Sequence, residues 1–293
     1  MPTRPVRLCA ALLIATLNLL PLYAQAADAS APPPAASAVH ALAQTYGAGR
    51  LSQAELNTAE QSAVAVLVRQ NLRALDPDGR LGPEGIKALS TRLGADIRPA
   101  VRQVFAALRP ADMTAEFETT LSGTLSQQDA DSLLTYWRTP AGQRYLRFSH
   151  ALDDLAANGL SRLISTPISF SRDQMPPPAV QQQRRGLLAM STGLNTRAPH
   201  AAIEGVILDW LALQNGPALD RLGQQYQADL PAFVRFQASA PAQALARAQA
   251  RWASQQGRRI EPLIQQADQA LAPRRTGWQS LARHWLSDPN IGK

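Results

Sequence analysis

The residues best suited by type and spacing to chemistry lie in "YWRTPAGQRYLRF", Tyr136 to Phe148. Tyr136 and Trp137 could stack on a planar ligand while Arg138 and Arg144 pair with an anion. The same residues also have a packing role. Thr139 can cap a helix whose first residue is Pro140, where no backbone N–H is required, and Gly142 lets a neighbouring helix approach. Trp137 and Tyr145 then fill the core. This reading accounts for every residue and is preferred; the functional question is whether Trp137 and Arg144 face the core or a cleft.

The second concentration is "RRTGWQSLARHWLS", which puts Trp278, Leu281 and Trp285 on one helical face framed by Arg274, Arg275, Arg283 and His284. Tryptophans among cations suit an anionic membrane interface or a partner protein. Closing a core is the simpler use of the same face.

A third stretch, "DPDGRLGPEGIKAL" from Asp76, begins like a calcium loop with Asp76 and Asp78. The pattern then fails, because Arg80 occupies the fifth position, Leu81 replaces the turn glycine and Lys87 replaces the bidentate glutamate. A Gly- and Pro-rich turn ahead of a helix started by Pro83 is the economical reading.

Other chemistries lack support. His40, His150, His200 and His284 lie far apart with no metal-ligand spacing, so neither a metal nor a cofactor is expected. No G-x-S-x-G elbow, S-x-x-K or phosphate-binding glycine loop occurs. Asp153-Asp154 and Glu116/Glu118 read as solvated helix faces. The only cysteine, Cys9, excludes a disulfide framework beyond it.

The elements that must position these residues read as helices almost throughout. Ser52 and Glu55 form a capping-box pattern ahead of Val64, Leu67, Val68, Leu72 and Leu75 at helical spacing. A helix opening at Pro83 is expected to end at Gly94, followed by two short helices, the second stopping near Gly123. Ser126 with Asp129 starts the next, and Pro140 to about Ser165 forms another, with an apolar stripe from Tyr145 to Leu163. Further helices are expected at 179–194, 199–214, 217–237, 241–256, 259–271 and 276–287. Only "STPISFS" hints at a strand.

The fold expected is all-α, a multi-helix bundle of two halves, 38–166 and 179–293, joined by a Pro-rich linker at 167–178. "LLTYWRTPAGQ" and "FVRFQASAPAQ", starting at Leu133 and Phe233, hint at a degenerate internal repeat whose second copy lacks the glycine and carries one extra residue.

The N-terminus has a basic region at Arg4 and Arg7, an apolar run from Leu8 to Leu20 and an A-x-A site ending at Ala26. It reads as a cleavable signal peptide, 1–26, and implies a periplasmic or secreted protein with no transmembrane helix after removal. Residues 27–37 read as a disordered Pro/Ala-rich tether. The formal charge of +7 is nearly all arginine, since Lys87 and Lys293 are the only lysines, and its thin spread argues against a nucleic-acid partner.

The stretch "SQQDADSLLTYWRTPAGQRYL", Ser126 to Leu146, resembles the periplasmic all-helical domain of unknown function family 2059, with Tyr136-Trp137 where that family tends to have Phe-Tyr. The resemblance implies a helical periplasmic fold and supplies no catalytic residue. Asp78, Gly79, Leu81, Gly82, Pro83 and Ala88 are similar to the loop of small three-helix peptidoglycan-binding domains.

The expectation is a non-catalytic binding or interaction module of the cell envelope, meeting peptidoglycan, an anionic membrane surface or another envelope protein. The alternatives are a peptidoglycan-binding accessory protein acting through Asp78 to Pro83 and a cell-wall hydrolase. The latter needs a cleft with a perturbed carboxylate or histidine.

Overall fold

The computed structural model describes residues 32–46, 52–165, 176–190 and 201–287. Among them every regular element is a helix: α1 (Ala36–Thr45), α2 (Gln53–Leu75), α3 (Pro83–Ala106), α4 (Pro110–Ser122), α5 (Gln127–Arg138), α6 (Pro140–Ser165), α7 (Pro178–Ala189), α8 (Ala201–Gln214), α9 (Gly216–Gln225), α10 (Leu230–Gln237), α11 (Ala240–Leu271) and α12 (Arg274–Ser287). The strand hint at "STPISFS", most of the linker and the signal lie outside the described residues, as does the Glu55 side chain.

Two compact units emerge. The first comprises Leu51–Arg109 and Arg258–Lys293, and the second is built on Pro110–Gly257 with the segment that ends at Arg50. They do not fall on either side of 167–178.

In the first unit α2 and α3 form a hairpin, and α12 packs on both. The Asp76–Gly82 turn is made by one side chain. The Asp76 carboxylate accepts from the N–H groups of Arg80 at 2.8 Å and Leu81 at 2.9 Å. Gly79 takes φ +66°, a left-handed conformation that a Cβ disfavours. Leu81 is thereby delivered to a cluster with Leu89 and Ala282, covered by Leu72, Leu75, Leu281, Trp285 and Leu286.

Helix α3 does not end at Gly94. Leu89, Leu93, Ile97, Val101 and Val104 are all buried and continue one apolar stripe in phase through it. Burial of each such side chain contributes about 1.5–3 kcal/mol, which outweighs the roughly 1 kcal/mol that an interior glycine costs. Pro99 also lies inside α3, on its exposed side.

Similar physics joins 241–256 and 259–271 into the single helix α11, where Trp252, Ala253, Ile260, Ile264, Ala267 and Leu271 are buried across Gly257. The expected helix at 217–237 instead breaks into α9 and α10. Tyr226 to Asp229 turns there, with Asp229 N–H donating to the Tyr226 carbonyl at 2.8 Å.

In the second unit α1 packs on α4 and α5, α5 on α6, and α9 on α6, α7 and α8. Its core joins Tyr145, Phe148 and Leu152 of α6 to Leu187 and Leu188 of α7, Trp210 and Leu211 of α8, Leu219 of α9 and Phe233 of α10. Residues from both sides of the Pro-rich stretch therefore share one core. The end of the expected tether is also engaged: Pro32 carbonyl accepts from Gln127 N–H at 3.1 Å, Ala35 N–H donates to Gln127 Oε1 at 2.6 Å, and α1 already begins at Ala36.

Candidate functional site

The stretch from Tyr136 to Phe148 folds into a helix corner. Ser126 and Asp129 close a reciprocal capping box at the start of α5. At its other end the Thr139 hydroxyl donates to the Tyr136 carbonyl at 2.6 Å and accepts from Gly142 N–H at 3.0 Å, so one side chain satisfies both helix ends. Gln143 Nε2 adds a bond to the Trp137 carbonyl at 2.6 Å. A Cβ on Gly142 would sit 2.0 Å from the Tyr136 oxygen, which leaves room for glycine alone.

Trp137 faces the core. It is 3% exposed and stacks on Tyr46 with ring centroids 5.6 Å apart. Arg144 reaches Asp229 in an ion pair, while Arg138 is exposed. Tyr145 is buried against Phe233 and Phe236, its hydroxyl 3.3 Å from Gln237 Nε2. Burial, partly offset by that hydrogen bond, pushes its pKa up to about 12. Tyr136 is also raised, first by burial and then by Asp229. Trp137 and Tyr145 thus pack in the core and Arg144 is held by Asp229, whereas Arg138 stays exposed and Tyr136, stacked on Phe236, also lines an open groove.

The corner occurs twice. One hundred residues on, the Ser239 hydroxyl donates to the Phe236 carbonyl at 2.6 Å and Gln243 Nε2 donates to the Gln237 carbonyl at 2.6 Å. Thr139 matches Ser239 and Gln143 matches Gln243 in one unbroken register, so there is no extra residue in the second copy. Pro140 opens α6 at its first position and Pro241 follows Ala240 in α11, because neither first-turn position needs its N–H.

Trp278 and Trp285 also turn inward. Trp278 is 3% exposed and its Nε1 donates to Asp96 Oδ2 at 2.8 Å, a carboxylate that also pairs with Arg92 at 3.0 Å. The Trp285 Cβ lies 3.3 Å from where a Cβ on Gly85 would stand. Of the surrounding cations Arg275 pairs with Asp268, while Arg274, Arg283 and His284 are exposed.

The carboxylates Glu116 and Glu118 are not free helix-face charges. Glu118 Oε1 lies 2.8 Å from His40 Nδ1 and accepts from it in the tautomer that carries the proton there, and Glu116 accepts from Gln256 Nε2. No group of three His, Cys, Asp or Glu with metal-binding geometry occurs among the described residues. None of their helices is long and apolar enough to cross a membrane.

Charge separates the units. Leu51–Arg109 with Arg258–Lys293 carries fourteen basic and nine acidic residues, whereas Pro110–Gly257 carries twelve of each. The thin spread read along the sequence becomes a positive first unit once the fold collects its two segments.

Two open grooves differ in what they leave unpaired. One, of about 750 Å³, is lined by Pro32, Ser126, Gln127, Asp131, Ser132 and Tyr136 among others. Its polar groups are largely committed, Ser126 to Asp129 and Gln127 to Ala35 and Asp131. The other, of about 420 Å³, lies on the outer stripe of α3 and is lined by Ala95, Arg98, Pro99, Arg102, Gln103 and Ala106. Sequence reasoning missed this stripe, although a proline flanked by arginines on the polar side of an apolar helical period marks it. Comparisons with protein-family models, with curated proteins and with solved structures gave no match.

Proposed function

We propose that the chain is a non-catalytic binding module of the bacterial-type cell envelope, exported through its N-terminal signal, and that its first unit engages an anionic envelope polymer. The observation that carries this reading is the charge partition: the excess of five positive charges lies in the unit built from Leu51–Arg109 and Arg258–Lys293. A concentrated positive field raises the local concentration of anionic partners. The apolar run ending in an A-x-A site and the resemblance of Ser126 to Leu146 to a periplasmic helical family support the compartment.

A non-catalytic role accords with how the candidate residues are used. Trp137, Trp278 and the Asp76 carboxylate are committed to packing or to backbone groups. The Asp78 to Pro83 loop offers little to a glycan, since Leu81 points into the apolar cluster.

The test is a pull-down of the mature protein on purified peptidoglycan sacculi, followed by assay of soluble muropeptide release from the same material. Retention that weakens with salt, without release, is expected. Release of muropeptides would make the protein a hydrolase, and the absence of retention would defeat the proposal.

A further inference from the structure

Helices α6 and α11 each follow one of the two equivalent corners, so the register that matches Thr139 to Ser239 continues along them. The same face is buried in both: Tyr145, Phe148, Ser149, Leu152 and Ala156 in α6, and Leu245, Ala248, Gln249, Trp252 and Gln256 in α11. The setting is the same and the chemistry differs. Phe148 gives way to Ala248 and Ala156 to Gln256. Three atoms of the α11 face, Gln249 Oε1, Trp252 Nε1 and Gln256 Oε1, are buried with no hydrogen-bond partner, whereas at the matched positions of α6 only Ser149 Oγ is in that state.

This face of α11 meets α4. Trp252 packs edge-on against Phe117, with ring centroids 5.4 Å apart and planes at 61°. Around that contact the seam is polar. Gln256 Nε2 donates to Glu116, and the single hydroxyl hydrogen of Thr120 serves both Gln255 Oε1 at 3.1 Å and the Glu116 carbonyl at 2.9 Å. A buried polar atom without a partner costs free energy that water restores as soon as the seam parts, whereas parting an apolar contact restores nothing. Residues 240–256 also favour a helix without packing, with seven alanines, four glutamines and two arginines among the seventeen. Undocking therefore does not require the whole helical backbone to be given up.

We infer that the first half of α11, 240–256, is a strap that undocks from α4 while the core around Phe148, Trp210 and Phe233 stays folded. Proteins open locally in units whose stability follows their buried apolar contacts, and of these two matched helices α11 has the poorer set. The opened form presents Trp252 and Phe117, so it carries an aromatic surface that the closed form lacks.

The experiment is thiol labelling in the absence of denaturant. Cys9 is the only cysteine, so a Cys9→Ser background with either Ala248→Cys or Ala212→Cys has one thiol, in each case at a position that is 0% exposed. Ala248→Cys on α11 is expected to react about tenfold or more faster than Ala212→Cys in the core. Gln249→Met replaces an unpartnered acceptor by an apolar group of similar shape, and should slow labelling of Ala248→Cys about fivefold or more. Hydrogen exchange of the unsubstituted protein, read by mass spectrometry of its peptides, gives a second measure that needs no cysteine. Amides of 240–256 should exchange about tenfold or more ahead of those of 140–156.

Exchange of 240–256 as slow as that of 140–156 would overturn the strap. So would labelling of Ala212→Cys as fast as that of Ala248→Cys, because the unit would then open as a whole. Labelling unchanged by Gln249→Met would overturn the buried polar atoms as the cause of opening.

Discussion

Tyr136 stacks on Phe236, one hundred residues away, with ring centroids 3.9 Å apart and planes 14° from parallel. Each ring belongs to the residue whose carbonyl accepts the hydroxyl of its own corner, Thr139 in one case and Ser239 in the other. Equivalent positions of two similar corners thus meet face to face, which ties α5 and α6 to α10 and α11 through the same few side chains. The energetics of the second unit follow from this arrangement.

The first corner depends on Gly142 and Thr139. Gly142→Ala places a methyl group against the Tyr136 carbonyl, and the backbone has to move; a loss of about 1–3 kcal/mol is expected, with Gly142→Leu worse. Thr139→Val removes both hydroxyl bonds at a cost of about 1 kcal/mol, while Thr139→Ser stays near wild type. Urea titration followed by circular dichroism checks the order. A Gly142→Leu protein that melts normally would refute the corner's role.

Tyr145 links stability to high pH. Its folded pKa of about 12 stands above the ordinary 10.0, chiefly because burial disfavours the phenolate. The unfolded chain therefore loses this proton first as pH rises. The stabilisation is complete below pH 10 and is lost as pH approaches and passes 12, a total of roughly 2–3 kcal/mol. Tyr145→Phe should flatten the fall in stability across that window, measured by denaturant titration at successive pH values. Absorbance at 295 nm should show the corresponding late phenolate in the wild type.

Trp278 and Asp96 form the polar contact that seats α12. Trp278→Phe keeps most of the packing but leaves the half-buried carboxylate with only Arg92, at an expected cost of about 1–3 kcal/mol. A double-mutant cycle with Asp96→Asn isolates the pair. A coupling energy indistinguishable from zero would show that the indole N–H contributes nothing to stability.

Removing residues 274–293 should act on the fold before it acts on any surface. Trp278 and Ala282 are buried, and Leu281 and Trp285 cover the Leu81–Leu89 cluster. The truncated protein is expected to lose a cooperative melting transition and to gain dye-accessible apolar surface. Exposed Arg274 and Arg283 are the residues to change if the charge of this helix is to be tested alone; Arg274→Gln with Arg283→Gln should leave the melting temperature within about 1–2 °C of wild type, because such surface changes stay within about 0.5 kcal/mol.

The sequence by itself determined the helical class and the local chemistry of the corner. Apolar residues at helical spacing, a Ser-x-x-Asp box at Ser126 and a Thr-Pro start at Thr139 act through bonds only three or four residues long, so their outcome needs no distant partner. Tertiary structure decided where helices stop and which residues meet. Gly94 and Gly257 lie within continuous helices because burial on both sides outweighs their local preference. Arg144 found Asp229, Trp278 found Asp96 and Tyr136 found Phe236, contacts spanning 85, 182 and one hundred residues respectively. The positive first unit likewise came into being only when two segments far apart in the chain were packed together. Spacing along a chain fixes which side chains share a helix face; which face it meets depends on the whole set of helices that can bury apolar surface together.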